Sequence, residues 1–138
     1  MRMTRQERED FLAAVRIGVL SVAQPGRGPL TIPVWYDYAD GKVLITSAEG
    51  AVKNDLLSAA GRASLCVHND TAPYSYVTVE GPVTLTQRSP ADVESMAIRY
   101  LGHDGGRAYA KGITWGGVLA VLTPEHWLST DYAKDAAS

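Results

Sequence analysis

The stretch SAEGAVKNDLL, from Ser47 to Leu57, follows the apolar run Lys42–Thr46 and reads as a strand turning into a helix. It sets the hydroxyls of Thr46 and Ser47 beside a helix start and puts a lysine, Lys53, in the opening turns. A helix N-terminus carries a partial positive charge, so a cation there is unfavourable by itself. Hydroxyls and free backbone N–H groups at that same end form a place for an anion, and a phosphate would draw both Lys53 and the dipole toward one negative charge. The residues allow two other readings: Glu49 neutralises Lys53, or Lys53 extends into water.

Few other chemistries are available. His68, His103 and His126 have no metal-ligand spacing and there is no cysteine pair, so no metal site is expected. No G-x-S-x-G elbow is present. Gly102, Gly105 and Gly106 neither follow a strand nor open a clear helix, which excludes a dinucleotide fingerprint. Cys66 sits in the apolar strand Ala63–Val67 and reads as a buried, inert thiol, and His68 as a structural histidine.

These residues depend on the elements that carry them. Thr4-Arg5-Gln6-Glu7 is a capping-box pattern, with Phe11, Leu12 and Val15 on one face of a short helix. Strands are expected at Ile17–Val22, Leu30–Tyr38, Lys42–Ser47, Ala63–Val67 and Tyr74–Gln87, and from Val118 through Leu122 on past Pro124 to Leu128. Ala39-Asp40-Gly41 is a hairpin turn. A helix spans about Ala51–Ala60, with Gly61 as its C-cap. Gly81-Pro82 inside a long strand predicts a bend. Ser89-Pro90-Ala91-Asp92 starts a helix whose buried stripe is Val93, Met96, Ala97, Tyr100 and Leu101. Gly102–Gly117 reads as loop with one helical turn. The pattern is mainly β, about six hairpin-linked strands with a few peripheral helices, and suggests a small antiparallel barrel.

The 138 residues suit a single domain, 1–138, with an ordinary globular composition of 46% hydrophobic and 20% charged residues. A net charge of −2 argues against a nucleic-acid partner. No apolar run is long enough to cross a membrane, and no signal-type stretch follows the charged N-terminus, so a cytoplasmic protein is expected. Seven Tyr and three Trp against one Phe favour half-wet settings such as pockets and subunit interfaces.

Taken together, Thr31–Tyr36, Val43–Ser47, Lys53, Arg62-Ala63-Ser64 and Tyr76–Gly81 fall in an order and spacing that resemble the pyridoxamine 5′-phosphate oxidase-like split barrels. The likeness runs from about Phe11 to Trp127 and is nearest the small actinobacterial members that use FMN or the deazaflavin F420. It implies a six-stranded split β-barrel and a homodimer with the cofactor across the subunit interface. By position, Pro33, Val34 and Trp35 would lie along the ring system, Thr46, Ser47 and Lys53 would hold the phosphate, and Tyr76 would reach the ring from the partner chain. Tyr36 and Tyr76 are candidates to stack on substrate or donate a proton. Oxidases of pyridoxamine phosphate carry arginines beside the phosphate lysine, where this chain has Gly50-Ala51-Val52, and no counterpart of their C-terminal substrate tail is expected after Tyr132. Lys53 is therefore expected to be the main cation. The implied activity is hydride exchange between FMN or F420 and a small organic substrate; the alternative is a non-catalytic binder of a flavin, F420, haem or a similar planar ligand.

Overall fold

The computed structural model describes residues 1–113 and 116–136. Helix α1 (Arg5–Ala13) opens on the capping box, Thr4 accepting from the Glu7 N–H while the Glu7 carboxylate accepts from Thr4 N–H. Leu12 is buried, whereas Val15 lies beyond the helix and is exposed. Strands β1 (Gly18–Gln24) and β2 (Arg27–Val34) form an antiparallel hairpin. Short β3 (Asp37–Ala39) turns through Asp40 and Gly41, both at positive φ, into β4 (Lys42–Ser47), which is the two-residue turn geometry that suits the twist of a hairpin. Helix α2 (Val52–Ala60) ends at Gly61 in the left-handed conformation.

β5 (Arg62–His68) pairs with both β1 and β6 (Ser75–Gln87). The expected bend in β6 lies where it was placed. Ser75–Glu80 pair with β8 (His126–Asp131), and Val83–Gln87 pair with β7 (Val118–Leu122), so the strand changes sheets across Gly81-Pro82. Gly81 is buried against the Thr123 carbonyl, and a side chain there would overlap it. The path β2-β1-β5-β6-β7-β4-β3, with β8 on β6, closes two half-sheets around one core in which Leu20, Leu65, Val67, Val77 and Val79 are fully buried. Each such side chain contributes about 1.5–3 kcal/mol on burial.

The architecture is mainly antiparallel β with peripheral helices, but it has eight strands among the described residues, not six. The expected strand Leu30–Tyr38 breaks at Trp35-Tyr36, where the chain leaves one half-sheet for the other. The freed peptide groups of Tyr36 are satisfied by side chains: its N–H donates to the Tyr100 hydroxyl at 3.0 Å and its carbonyl accepts from Arg99 Nε at 2.9 Å. The last expected strand breaks at Thr123-Pro124-Glu125, whose backbone bonds go to Pro82 and Glu80.

The second correction concerns the glycine-rich stretch. Helix α3 runs Pro90–Lys111 with one non-helical residue, Gly102 (φ 79°, ψ 172°), so two helical arms meet at that residue. Gly106 fits so closely against Ala97-Ile98 that a Cβ would clash with the opposite arm, and Arg107 pairs with Glu94. Val93, Met96 and Ala97 are buried and Tyr100 half-buried, but Leu101, at the bend, is exposed. Thr114 and Trp115 of the expected loop lie outside the described residues. A short α4 (Ala133–Ala136) follows β8, and Lys134 binds the Arg2 carbonyl and the Glu7 carboxylate. No helix among the described residues is long and apolar enough to cross a membrane.

Candidate functional site

Six of the seven sequence-derived site residues meet in one cleft. β2 delivers Pro33 and Val34, the break after it delivers Trp35, the end of β4 delivers Thr46 and Ser47, and the first turn of α2 delivers Lys53; all six line a cavity of about 280 Å³. Val93, Met96, Tyr109 and Ile113 add an apolar wall from the α3 side. Tyr76 is not in this cleft. It sits half-buried in β6 between His68 and Thr130, on the outer face of the sheet.

The Trp35 indole is held by aromatic neighbours on α3. Its ring stacks on Tyr100 with centroids 4.9 Å apart and planes 6° apart, and Tyr109 lies tilted at 5.5 Å. Tyr36 is withdrawn from any role at the cleft. It is fully buried, its hydroxyl donates to the Leu12 carbonyl at 2.7 Å, and burial holds the phenol well above its usual range. Its proton is therefore committed to the core, which corrects the expectation that it could stack on substrate or act as a donor. Cys66 is half-buried on the outer face of β5 and not in the core, because the inward positions of that strand are Ala63, Leu65 and Val67.

The polar end of the cleft has groups without partners among the described residues. Ser47 is 2% exposed, and its hydroxyl oxygen is buried with no hydrogen-bond partner among the described residues. An unpaired buried hydroxyl typically costs about 1–3 kcal/mol, so such a group calls for an explanation. Lys53 is half-buried and makes no hydrogen bond or ion pair with any described residue. Glu49 does not neutralise it; that carboxylate lies against Gly116. The Lys53 ammonium has a pKa below the usual lysine value, first because burial removes water from it and second because the Arg88 guanidinium is near.

Arg88 is the residue that the sequence reading missed. It follows β6 directly, and its Nε donates to the Gly116 carbonyl at 2.7 Å while its N–H bonds Gly117. That bond orients the guanidinium and leaves its terminal nitrogens with no partner among the described residues. Lys53 is thus one of two cations at the cleft, and Arg88 supplies the positive charge absent from Gly50-Ala51-Val52. No local signal marks Arg88, since only the closure of β6 against β7 brings residue 88 to residue 53. Among the described residues no group of three or more His, Cys, Asp or Glu is gathered as for a metal ion. The arrangement can receive a flat apolar ligand against Trp35 and an anion beside Ser47, Lys53 and Arg88.

Solved structures share this fold across nearly the whole chain. A conserved hypothetical protein from Mycobacterium tuberculosis is 22% identical with a TM-score of 0.82, covering 99% of this chain and 89% of that one. A protein named F420 reductase is 20% identical with a TM-score of 0.70, covering 87% and 94%. An FAD-binding protein from Mesorhizobium loti is 20% identical with a TM-score of 0.66, covering 92% and 93%. No protein of curated function matches the chain in sequence. In sequence, the pyridoxamine 5′-phosphate oxidase family profile matches residues 4–110, most of the chain. The chain belongs to the pyridoxamine 5′-phosphate oxidase family.

Proposed function

We propose that the cleft holds the phosphate of FMN or F420 and that the protein is a flavin- or deazaflavin-dependent oxidoreductase acting on a small organic substrate. One observation carries this reading. A buried hydroxyl (Ser47) and two cations (Lys53 and Arg88), none with a hydrogen-bonded or ionic side-chain partner among the described residues, line one cavity at the start of a helix. A phosphate satisfies all three groups and the helix N-terminus at once. Thr46 stands beside Ser47 as a second hydroxyl, and Pro33, Val34 and Trp35 form the wall suited to a ring system. The names of two structural relatives, F420 reductase and FAD-binding protein, point the same way.

The bound cofactor would supply hydride transfer, and the chain would supply binding, orientation and exclusion of water. Among the described residues no His, Asp, Glu or Cys lines the cleft, which suits a reaction that asks no strong acid or base of the protein. The same feature favours the second reading, a binder of a planar ligand without turnover. At about 280 Å³ the cavity falls just below the usual range of about 300–1,000 Å³, which agrees with a cleft completed by a second chain. We place that chain as a homodimer partner whose Tyr76 approaches the ring.

A visible absorption spectrum of the purified protein, alone and with added FMN or F420, tests this. Retention of either chromophore, bleaching with a reductant and recovery with an acceptor is the expected result. Retention without recovery would favour the non-catalytic binder, and failure to bind either cofactor would remove both readings. Lys53→Ala should weaken cofactor binding by about 1.5–3 kcal/mol, the range for a hydrogen bond to a charged group. Unchanged affinity would remove the phosphate from this place.

A further inference from the structure

A second cavity, of about 270 Å³, adjoins the first along Arg88, Val93 and Ile113. Its floor is apolar, built by Pro90, Val93, Ala110 and Ile113, and its rim is charged, with Arg107 and Lys111 from the second arm of α3 and Glu94 from the first. The bend at Gly102 makes this pocket, since it brings residues 107–111 back over residues 90–94. The charge at the rim is only partly compensated. Arg107 and Glu94 approach to 3.8 Å with side chains 56% and 48% exposed, and exposed pairs of that kind are weak. Lys111 has no partner among the described residues. The rim therefore holds two cations and one acid over an apolar floor, beside the half-buried Arg88.

We propose that this pocket is a separate binding site for a small organic anion with an apolar body, such as an aromatic or branched carboxylate. The apolar body rests on Pro90, Val93, Ala110 and Ile113, and the carboxylate replaces Glu94 as the partner of Arg107 and adds Lys111. A carboxylate bound there exchanges one exposed ion pair for two charge-assisted contacts, which sets the preference for anions over neutral analogues. The shared Arg88, Val93 and Ile113 place such a ligand next to the proposed cofactor cleft. Arg88 marks the phosphate end of that cleft, so the anion would lie beside the cofactor phosphate and not against the ring wall of Pro33, Val34 and Trp35; that placement rests on the functional reading above, and the binding site itself does not.

Benzoate is a suitable probe, with benzyl alcohol and benzylamine as neutral and cationic controls of the same shape. Titration followed through the backbone amide shifts of Ala110, Lys111 and Ile113 should give a benzoate Kd of about millimolar, as its size implies. The two controls should bind at least about tenfold more weakly. The double variant R107Q/K111Q, altered only at the exposed rim, should lose about tenfold in benzoate affinity. Lys53→Ala should leave benzoate binding unchanged and lower only cofactor affinity, which separates this site from the first. Saturating FMN should weaken benzoate binding without displacing it, because the two sites share Arg88, Val93 and Ile113. Equal binding of benzyl alcohol, indifference to R107Q/K111Q, or displacement of benzoate by FMN would each overturn the proposal. Benzoate binding by a protein that takes up neither FMN nor F420 would keep this site and remove the cofactor reading.

Discussion

Lys53 and Arg88 bring like charges into one half-buried cleft, and the cost shows in the lysine, whose pKa lies below its ordinary value of 10.5 through burial and through Arg88. A depressed lysine pKa means that the folded state resists the charge. Its contribution to stability is therefore present above the unfolded value and lost as pH falls through the folded one. An anionic ligand reverses this by favouring the charged form. Cofactor affinity should then be flat up to the Lys53 pKa of the free protein and fall above it, by up to about tenfold per pH unit until the raised pKa of the complex is reached. On the acid side FMN binding should weaken below about pH 6, where the dianion of a phosphate monoester takes up a proton; F420, whose phosphate is a diester, should show no such limb. Lys53→Arg should retain binding and abolish the alkaline limb; a limb that survives in that variant would assign it to another group. Arg88→Gln should cost about 1.5–3 kcal/mol of affinity, and a smaller effect than a surface Arg→Gln control would return Arg88 to a purely structural role.

At the scale of elements, β6 shows how one residue type shapes the cleft. Gly81 lets the strand pass against the Thr123 carbonyl at the point where it changes half-sheets. Gly81→Ala should therefore destabilise the protein by about 3 kcal/mol or more, seen as a lower denaturant midpoint at constant m-value; a loss under about 1 kcal/mol would show that the crossing can open without harm. Features of this kind were legible when their causes were local. The capping boxes at Thr4/Glu7 and Ser89/Asp92, the Asp40-Gly41 turn, the Gly61 cap and the bend at Gly81 each follow from a few adjacent residues. The break at Trp35-Tyr36 was not legible, because the groups that satisfy Tyr36 stand on α3, at Arg99 and Tyr100. The second arm of α3 was hidden by its glycines, which are poor helix formers, yet Gly106 is required for the close approach to Ala97-Ile98. The candidate site divides the same way: Thr46, Ser47 and Lys53 adjoin one strand-to-helix turn and could be read together, while Arg88 joins them only through the sheet.

For the whole molecule the open question is what covers the outer face of the half-sheet built from β1, β2, β5, β6 and β8. Paired positions point to the same side, so Pro33, Val19, Cys66, Thr78 and Leu128 form one row across that face. Leu128 is 58% exposed in it, and Pro33 at the other end also lines the proposed cofactor cleft. Tyr76 neighbours this row. A second copy seated on it would cover Leu128 and carry its own Tyr76 toward a cleft that one chain leaves small and open, which is the reason for proposing a homodimer with shared sites. Sedimentation should then give a dimer at micromolar concentration. Leu128→Asp puts an unpaired charge into that interface while altering only an exposed position of the single chain. It should shift the protein to monomer and lower cofactor affinity together, with little change in the unfolding of the isolated chain. Tyr76→Ala should keep the dimer and weaken binding of the ring. A wild-type monomer that binds FMN or F420 as tightly as any dimeric preparation would place the whole site within one chain and leave Tyr76 without a part in it.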